Sequence, residues 1–328
     1  MRNKLCSVAL MSLLITGCTA QQPKWVTEPA IGECTTSIGE DCLARLINER
    51  FKSMPASLAR DEAAIRMNAI SHASKLQVSD LVVEPAAYPL TAFIASSNAF
   101  GAAGDAIAPM LSGKPSQAVE AALKIKDKDA AVFALLTIIS LSDETMEDQA
   151  LGKALNKLSD LNKQAYLRGL QGRVAGLLVK GDLERANALR DYLLKNDIGA
   201  RANTFASVTQ VAASYAMAGL APDATATFRE ELPNMPESIK ADNAQFFRLV
   251  IKASAGDYPA PQDFHELSTD QARLDAYLLL SALYRRNHKM ELATRSLNEA
   301  VLFTQKSGFN VAMDQALTQL ATSSLGVL

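Results

Sequence analysis

A helix–turn–helix unit that recurs along the chain constrains the fold more than any other feature of the sequence. Its clearest copy begins at Val208 and ends at Leu232. Gly219 stands where the first helix must end, and Pro222 fits the first turn of the next helix. Residues at spacings of three and four give the first helix one common face: they are Phe205, Val208, Ala212, Tyr215 and Ala216. The spacing predicts two short helices packed against each other.

The same unit returns at intervals of about one helix pair. Its shared feature is a glycine five residues before an alanine. The copies are Gly113–Ala118, Gly181–Ala186, Gly219–Ala224, Thr145–Ala150 without the glycine, and Asn287–Ala293 with one extra residue. The alanines are separated by 32, 36, 38 and 69 residues, and the last interval is close to two units. Because one short pair cannot bury both of its faces, we expect the pairs to stack on one another.

A repeated helix pair of this length resembles the tetratricopeptide repeat, with degenerate copies over roughly residues 113–305. The resemblance implies an all-α fold, namely an α-solenoid of antiparallel helix pairs. It also implies a non-enzymatic scaffold that binds a protein or peptide in a concave groove. A composition with only 6% aromatic residues suits closely packed helices better than a β-sandwich.

The first helix of each pair tends to line the groove of such a solenoid, which predicts a set of groove positions. These candidates are Gln210, Ser214, Met217, Arg248, Lys252, Arg273 and Arg285. The alternative interpretation is that they are ordinary exposed positions.

The N-terminus carries a pattern of its own. Arg2 and Lys4 precede an apolar run, Leu5–Ile15, that is too short for a stable membrane span. The run ends in the letters ITGC, whose cysteine is Cys18. This pattern resembles the bacterial lipoprotein signal. The resemblance implies cleavage before Cys18, acylation of Cys18 and, because threonine rather than aspartate follows, anchoring at the periplasmic face of the outer membrane. An ordinary secretory signal with an incidental cysteine is the alternative.

Two further cysteines, Cys34 and Cys42, follow the lipoprotein signal. An oxidising periplasm favours a disulfide between them, and Gly39 allows the short loop to turn back. The alternative is a pair of thiols with metal-like spacing. It lacks a nearby histidine or a further cysteine that would complete a zinc site.

The chain divides into four segments on this interpretation. They are a signal peptide at 1–17, a tether with a possible disulfide loop at 18–40, an N-terminal helical region at 41–112, and a repeat region at 113–328 that ends in a capping helix over Asn310–Ser323. Val78–Pro89 is open between a short strand and an extended connection. Thr91–Leu111 is apolar enough to suggest a membrane segment, but Asn98, Asp105 and Pro109 favour a buried helix.

Signatures of catalysis and of cofactor binding are incomplete wherever they begin. His265-Glu266 opens like a zinc-protease helix, but Thr269 stands where the second histidine belongs. Gly113-Lys114 opens like a phosphate loop, but Pro115 follows. A net charge of −2 gives no basic excess for nucleic acid. We therefore predict no catalytic residue, no metal site and no cofactor.

The sequence thus predicts a membrane-anchored periplasmic scaffold for protein–protein interaction in the bacterial cell envelope. One alternative is a cell-wall-acting enzyme or its regulatory subunit, which would need a glutamate of raised pKa in a cleft. Another is a small-ligand carrier, with an apolar tunnel between the repeats and Thr91–Leu111.

Overall fold

A computed structural model describes residues 64–66, 68–70, 73, 90–141, 146, 148–197 and 205–306. Several predicted features lie outside these residues: the expected lipidation site Cys18, the cysteine pair Cys34 and Cys42, the segment Val78–Pro89 and the expected capping helix Asn310–Ser323. The predictions made for them stay predictions.

The described residues form helices and the turns between them, which confirms the all-α fold class. In chain order the helices are α1 (Leu90–Leu111), α2 (Pro115–Ala122), α3 (Lys128–Leu141), α4 (Asp148–Leu161), α5 (Lys163–Val179), α6 (Leu183–Asp197), α7 (Ser207–Met217), α8 (Ala221–Glu231), α9 (Glu237–Ser254), α10 (Pro261–His265), α11 (Asp270–Arg286) and α12 (Met290–Lys306). A single 3-10 turn, Leu232–Asn234, follows α8.

Two sets of contacts organise these helices. The odd-numbered helices α1, α3, α5, α7 and α11 each pack against the even-numbered helix that follows, as the repeated unit predicts. In addition, each odd-numbered helix from α1 to α9 packs against the next odd-numbered helix. The odd-numbered helices therefore form one continuous layer. Helix α11 contacts not only its neighbour α9 in this layer but also α5 and α7.

The turns inside the pairs share one hydrogen-bonded cap. Gly219 has a positive φ of 85°, its N–H donates to the carbonyl of Ala216 at 3.0 Å, and the N–H of Leu220 donates to the carbonyl of Tyr215 at 2.9 Å. These two bonds define a Schellman cap, which requires a left-handed residue and so favours glycine. The same two bonds close α1, α5 and α9, at Gly113, Gly181 and Gly256.

The last pair carries this cap without a glycine. His288 takes the left-handed position with a φ of 57°, and its N–H donates to the carbonyl of Arg285 at 2.9 Å. The sequence pattern had placed the start of this copy at Asn287, one residue too early. Counted from His288, Ala293 lies five residues on, as in the other copies. The spacing of the unit is therefore kept, and only the glycine is replaced.

The repeated alanine of the second helix is buried in each copy of the unit. Ala118, Ala186, Ala224 and Ala293 have no exposed surface. A larger side chain at this position would separate the helices, because the interior is packed to the density of a solid. This explains why the pattern pairs a turn residue with a small residue on the second helix.

Helix α1 confirms the helix that was predicted over Thr91–Leu111. Gly104 lies against a helical segment near residue 69, where a Cβ atom would be 2.6 Å from the backbone oxygen of Ala69. Phe100 and Ile107 are buried on the same side. Within the part of the chain that the structure describes, no helix has both the length and the apolar character to cross a membrane.

The core consists of two clusters that meet at α5. The first cluster joins α1 to α4 and is rich in alanine. The second extends from α5 to α12 and contains most of the buried aromatic rings, and the described residues between 64 and 73 contribute to both clusters. Ala165 of α5 belongs to the first cluster, whereas Leu167 and Val174 of the same helix belong to the second. Helix α5 thus connects two differently packed halves.

Two features of the second half differ from the sequence-based expectation. Helix α7 is buried on every side rather than on one face, because α5, α8, α9 and α11 all pack against it. The second helix of the pair that begins with α9 is the short α10, which the sequence pattern did not predict. Its five residues show no helical periodicity, and it is fixed by tertiary contacts of Phe264 with Tyr277, whose ring centroids are 3.9 Å apart.

Candidate functional site

Five odd-numbered helices, from α3 to α11, line a cavity of about 460 Å³ that is partly open to solvent. Its wall is built from five helices: Phe133, Leu136, Thr137, Ile139 and Ser140 of α3; Arg168, Gly169, Gln171 and Gly172 of α5; Gln210, Ala213 and Ser214 of α7; Phe246 of α9; and Asp275, Leu278, Leu279, Ala282, Leu283 and Arg286 of α11. The volume lies within the range of about 300–1,000 Å³ that is typical of small-molecule sites.

Helix α11 closes this cavity opposite α3, α5 and α7. Its contacts with α5 and α7 place it across the layer of odd-numbered helices. The guanidinium of Arg285 also donates from Nη2 to the carbonyl of Ser140 at 2.6 Å, at the C-terminal end of α3. A cation at a helix C-terminus is favourable, because the last carbonyls carry partial negative charge. The cavity is therefore bounded on two opposite sides by helices that are far apart in the sequence.

Small side chains leave the space that the cavity occupies. Gly172 faces it, since a Cβ atom there would lie 3.3 Å from Cγ2 of Ile139 and 3.6 Å from Nη2 of Arg286. Ala213 and Ala282 contribute only a methyl group each to the wall. Leucine at these positions would fill the cavity. The cavity therefore depends on the small side chains of α5, α7 and α11.

The middle of the cavity is apolar. Leu278 and Leu283 of α11 are buried, and Leu136 of α3 and Leu279 of α11 are half-buried there. Phe246 contributes a ring that stacks on Phe205 with a centroid distance of 4.2 Å. An apolar cavity of this kind gains free energy by accepting apolar atoms, because it offers water few hydrogen-bond partners.

The polar groups of the wall are engaged with the protein itself. The amide of Gln171 donates to the hydroxyl of Ser207, and the amide of Gln210 donates to the carbonyl of Phe205 at 3.0 Å. The hydroxyl of Ser214 donates to the carbonyl of Gln210 at 3.0 Å. These bonds satisfy polar groups that would otherwise be costly in an apolar wall.

The charged groups of the wall lie far apart along α11. Asp275 is 2% exposed and accepts a hydrogen bond from the amide of Gln271 at 2.7 Å. Arg286 lies eleven residues further on, which corresponds to about 16 Å of helix. Arg168 of α5 is on the same helical face as Gly172, one turn away, and Gly172 adjoins Arg286. The guanidinium of Arg286 is thus at one end of this stretch of α11, and the carboxylate of Asp275 is at the other.

Two of the predicted groove positions line this cavity. Gln210 and Ser214 are in its wall, whereas Met217 is buried elsewhere in the core. Arg285 adjoins the cavity and holds α11 to α3 instead of lining it.

The remaining three candidates brace the short helix α10 and the turn after it. Lys252 pairs with Asp263 at 2.6 Å, and Arg248 lies 3.5 Å from Glu266. Arg273 pairs with Asp270 at 2.7 Å and donates from Nη2 to the carbonyl of Leu267 at 2.9 Å. These three residues do not line the cavity, and ion pairs and turn carbonyls near their own helices hold the side chains.

The perturbed titrating groups do not lie in the cavity. Burial raises the pKa of Tyr284 to about 12 and also raises the pKa of Tyr258 and of Tyr277, all in the packing between α10, α11 and α12. The side chain of Lys252 lowers the pKa of Asp263 by its hydrogen bond. Among the described residues that line the cavity, Asp275 is the one carboxylate and no glutamate is present.

Metal-binding geometry does not occur in the described residues, where no group of three histidine, cysteine, aspartate or glutamate side chains could hold an ion. A second, polar pocket of about 400 Å³ lies between α6 and α8 and is lined by Arg190, Asp191, Leu194, Asp223, Ala226, Thr227, Glu230 and Glu231. It carries mainly carboxylates at an exposed surface. Glu230 is exposed there, and Glu231 is half-buried.

The sequence analysis missed the cavity, although one signal for it was present. Gly169 and Gly172 occur inside a helix, where glycine is unfavourable by about 1 kcal/mol relative to alanine. A glycine in such a position usually has a packing reason. The partner wall, α11, could not have been identified, because its approach to α3 joins residues 145 positions apart.

Comparison with known proteins gives no assignment: no family model, no curated protein and no solved structure matches this chain.

Proposed function

We propose that this protein is a non-catalytic binding scaffold of the bacterial cell envelope, anchored by lipid at Cys18 to the periplasmic face of the outer membrane. Its binding surface is the odd-helix face, which we define as the cavity-lining side of α3, α5, α7, α9 and α11. The observation that carries the proposal is that five first helices of successive pairs contribute to one apolar cavity.

A solenoid of the tetratricopeptide-like kind is the architecture we propose for the stacked pairs. Three observations support it. The first helices contact one another in sequence, the caps share one geometry, and the alanine of the second helix recurs with no exposed surface. In such an architecture the layer of first helices is concave and presents a binding surface. The contact of α11 with α5 and α7 is what a short and strongly curved stack of helix pairs would produce.

The proposed location in the cell envelope depends on the residues around Cys18. The test is to express the full chain in a Gram-negative host and compare it with Cys18→Ala by membrane fractionation and intact mass. We expect acyl mass and outer-membrane recovery for the native chain, and loss of both in the variant. A native chain that is unacylated and free in the periplasm would contradict this address.

Capture of an envelope protein on the odd-helix face is tested by site-specific photo-crosslinking. A photoreactive amino acid replaces Leu279, which is half-buried in the cavity wall, or Leu183, which is 42% exposed on α6 away from the cavity. We expect a discrete crosslinked protein with the probe at 279 and none at 183. Equal crosslinking at both positions would refute the odd-helix face as the binding surface.

A small-ligand carrier is the second candidate, and the size of the cavity favours it. A volume of about 460 Å³ suits a small molecule better than a folded partner. The carrier alternative placed its tunnel between the repeats and Thr91–Leu111. The cavity instead lies within the layer of odd-numbered helices and does not include a residue of α1.

A further inference from the structure

We propose that the cavity binds the chain of a single long-chain fatty acid, with the carboxylate of the ligand at the Arg286 end. This inference goes beyond the proposed function and does not depend on a protein partner. It identifies a ligand class from the shape, the polarity and the charge of the cavity.

The shape of the cavity suits one extended chain. Its wall follows α11 from Asp275 to Arg286, a distance of about 16 Å along the helix. A volume of about 460 Å³ over that length suits one extended acyl chain, which is long and narrow.

The polarity of the wall favours an acyl chain over an extended peptide. The middle of the cavity is bordered by leucine and phenylalanine side chains, and the amides of Gln171 and Gln210 already bond to the protein. A peptide would bring backbone N–H and C=O groups into this apolar stretch, where each unpaired group is costly. Methylene groups carry no such cost, and each one buried contributes about 0.8 kcal/mol.

The charges of the wall orient the ligand. Arg286 places a guanidinium at one end, and Asp275 places a carboxylate about three turns of α11 away. A fatty-acid carboxylate would be attracted by the guanidinium and repelled by Asp275. A guanidinium carries five N–H donors, so an arginine that already contacts the protein still has donors for a carboxylate. The acyl carboxylate therefore lies at the Arg286 end.

The experiment uses the full chain carrying Cys18→Ala, so that no attached acyl chain competes for the cavity. Displacement of a fluorescent fatty acid is measured with palmitate and, in parallel, with its neutral counterpart hexadecanol. We expect saturable palmitate binding. Absence of palmitate binding, or displacement by an apolar peptide but not by palmitate, would overturn the proposal.

Two substitutions test the position of the ligand. Ala282→Phe fills the half-buried wall of α11, and Ala226→Phe makes the same change at an exposed site of α8. We expect palmitate affinity to fall at least about tenfold in Ala282→Phe and to stay unchanged in Ala226→Phe. Equal affinity in both variants would place the ligand outside this cavity. Circular dichroism and the thermal midpoint monitor folding.

The head-group contact is tested without filling the cavity. Arg286→Ala should weaken palmitate about tenfold while leaving hexadecanol unchanged, and Arg286→Lys should restore part of the loss. A merely structural role of Arg286 would weaken both ligands equally and would refute the orientation. If palmitate binds while the probe at 279 captures no protein, the scaffold proposal fails and this one stands. The reverse result overturns this one alone.

Discussion

The two halves of the molecule achieve close helix packing by different means. In the first half, from α1 to α4, buried alanines and Gly104 allow helices to approach to backbone contact. In the second half, from α7 to α12, aromatic rings stack between helices: Phe205 on Phe246, Phe228 on Phe247 and Phe264 on Tyr277 have centroid distances of 4.2, 4.2 and 3.9 Å. The same helix-pair unit therefore tolerates two kinds of core.

The second half also contains a buried network of hydrogen bonds. The first half packs through alanine contacts, which do not need such a network. The side-chain oxygen of Asn243 accepts from the N–H of Ala206 at 2.8 Å and from the hydroxyl of Thr209 at 2.6 Å. Its amide donates to the carbonyl of Ile239 at 2.8 Å. Stacked rings and buried hydrogen bonds therefore both join the helices of the second half.

The largest effect should come from removing an aromatic ring of the second half. Phe246→Ala deletes a side chain with no exposed surface and its stack on Phe205. We expect a loss of about 3–5 kcal/mol in the free energy of unfolding, because a cavity is left behind. Urea denaturation measures it. Tyr192→Ala, at a residue 45% exposed, is the control and should change stability by less than about 0.5 kcal/mol.

Adding one carbon atom should disrupt the first half. In Gly104→Ala the new Cβ atom would lie 2.6 Å from the backbone oxygen of Ala69, so the two helices must separate. We expect a loss of about 1–3 kcal/mol. Gly101→Ala is the matched control on the same helix, where nothing lies within 4 Å. It should be neutral or stabilising by about 0.5–1 kcal/mol. Equal effects at the two glycines would show that backbone contact does not hold the first half together.

The buried network of hydrogen bonds in the second half should come next. Asn243→Ala leaves the N–H of Ala206 and the carbonyl of Ile239 buried without this partner. The expected loss is about 1–3 kcal/mol, since an unsatisfied buried group costs its desolvation. Thr209→Ala removes a single bond to Asn243 and should cost less. A larger loss for Thr209→Ala than for Asn243→Ala would contradict the central place of Asn243.

The caps should behave alike in both halves. Gly113→Ala in the first half and Gly219→Ala in the second place a side chain at a φ of 72° and 85°, with no neighbour within 4 Å in either case. We expect each to cost about 1 kcal/mol, because the strain is local. The free energies of unfolding should therefore agree within error. A clear difference would show that the surrounding packing contributes to the cap.

The smallest effect concerns the ion pairs near the border of the halves. Asp148 of α4 pairs with Arg173 of α5 and with Arg185 of α6, the latter at 3.1 Å. The hydrogen bond from Arg185, assisted by the charge of Arg173, lowers the pKa of Asp148 below its ordinary value of 3.8. A lowered folded-state pKa means that this stabilisation is present above pH about 4 and is lost as the pH falls further.

We therefore expect Asp148→Asn to lose a fraction of a kcal/mol near neutral pH, with the difference from the native chain shrinking below pH 4. Urea titrations at pH 7 and pH 3 measure it. A difference that persists unchanged at pH 3 would assign the effect to packing rather than to charge.

The sequence by itself determined the helices and the turns between them. A left-handed turn residue five positions before a small residue depends only on local backbone geometry and on side-chain volume. For this reason the caps at Gly113, Gly181 and Gly219 and the buried alanines after them could be predicted. Even the exception fits, because His288 keeps the spacing although the glycine is replaced.

Tertiary structure alone decided where the pairs meet and what they enclose. The arginine and lysine candidates of α9 and α11 point to local ion pairs rather than to the cavity, because nearby carboxylates compete for them. Helix α7 is buried on all sides because α11 returns to it, and the bond between Arg285 and Ser140 spans 145 residues. A local sequence pattern cannot encode such a contact, because the contact depends on the summed curvature of all the helix pairs between the two residues.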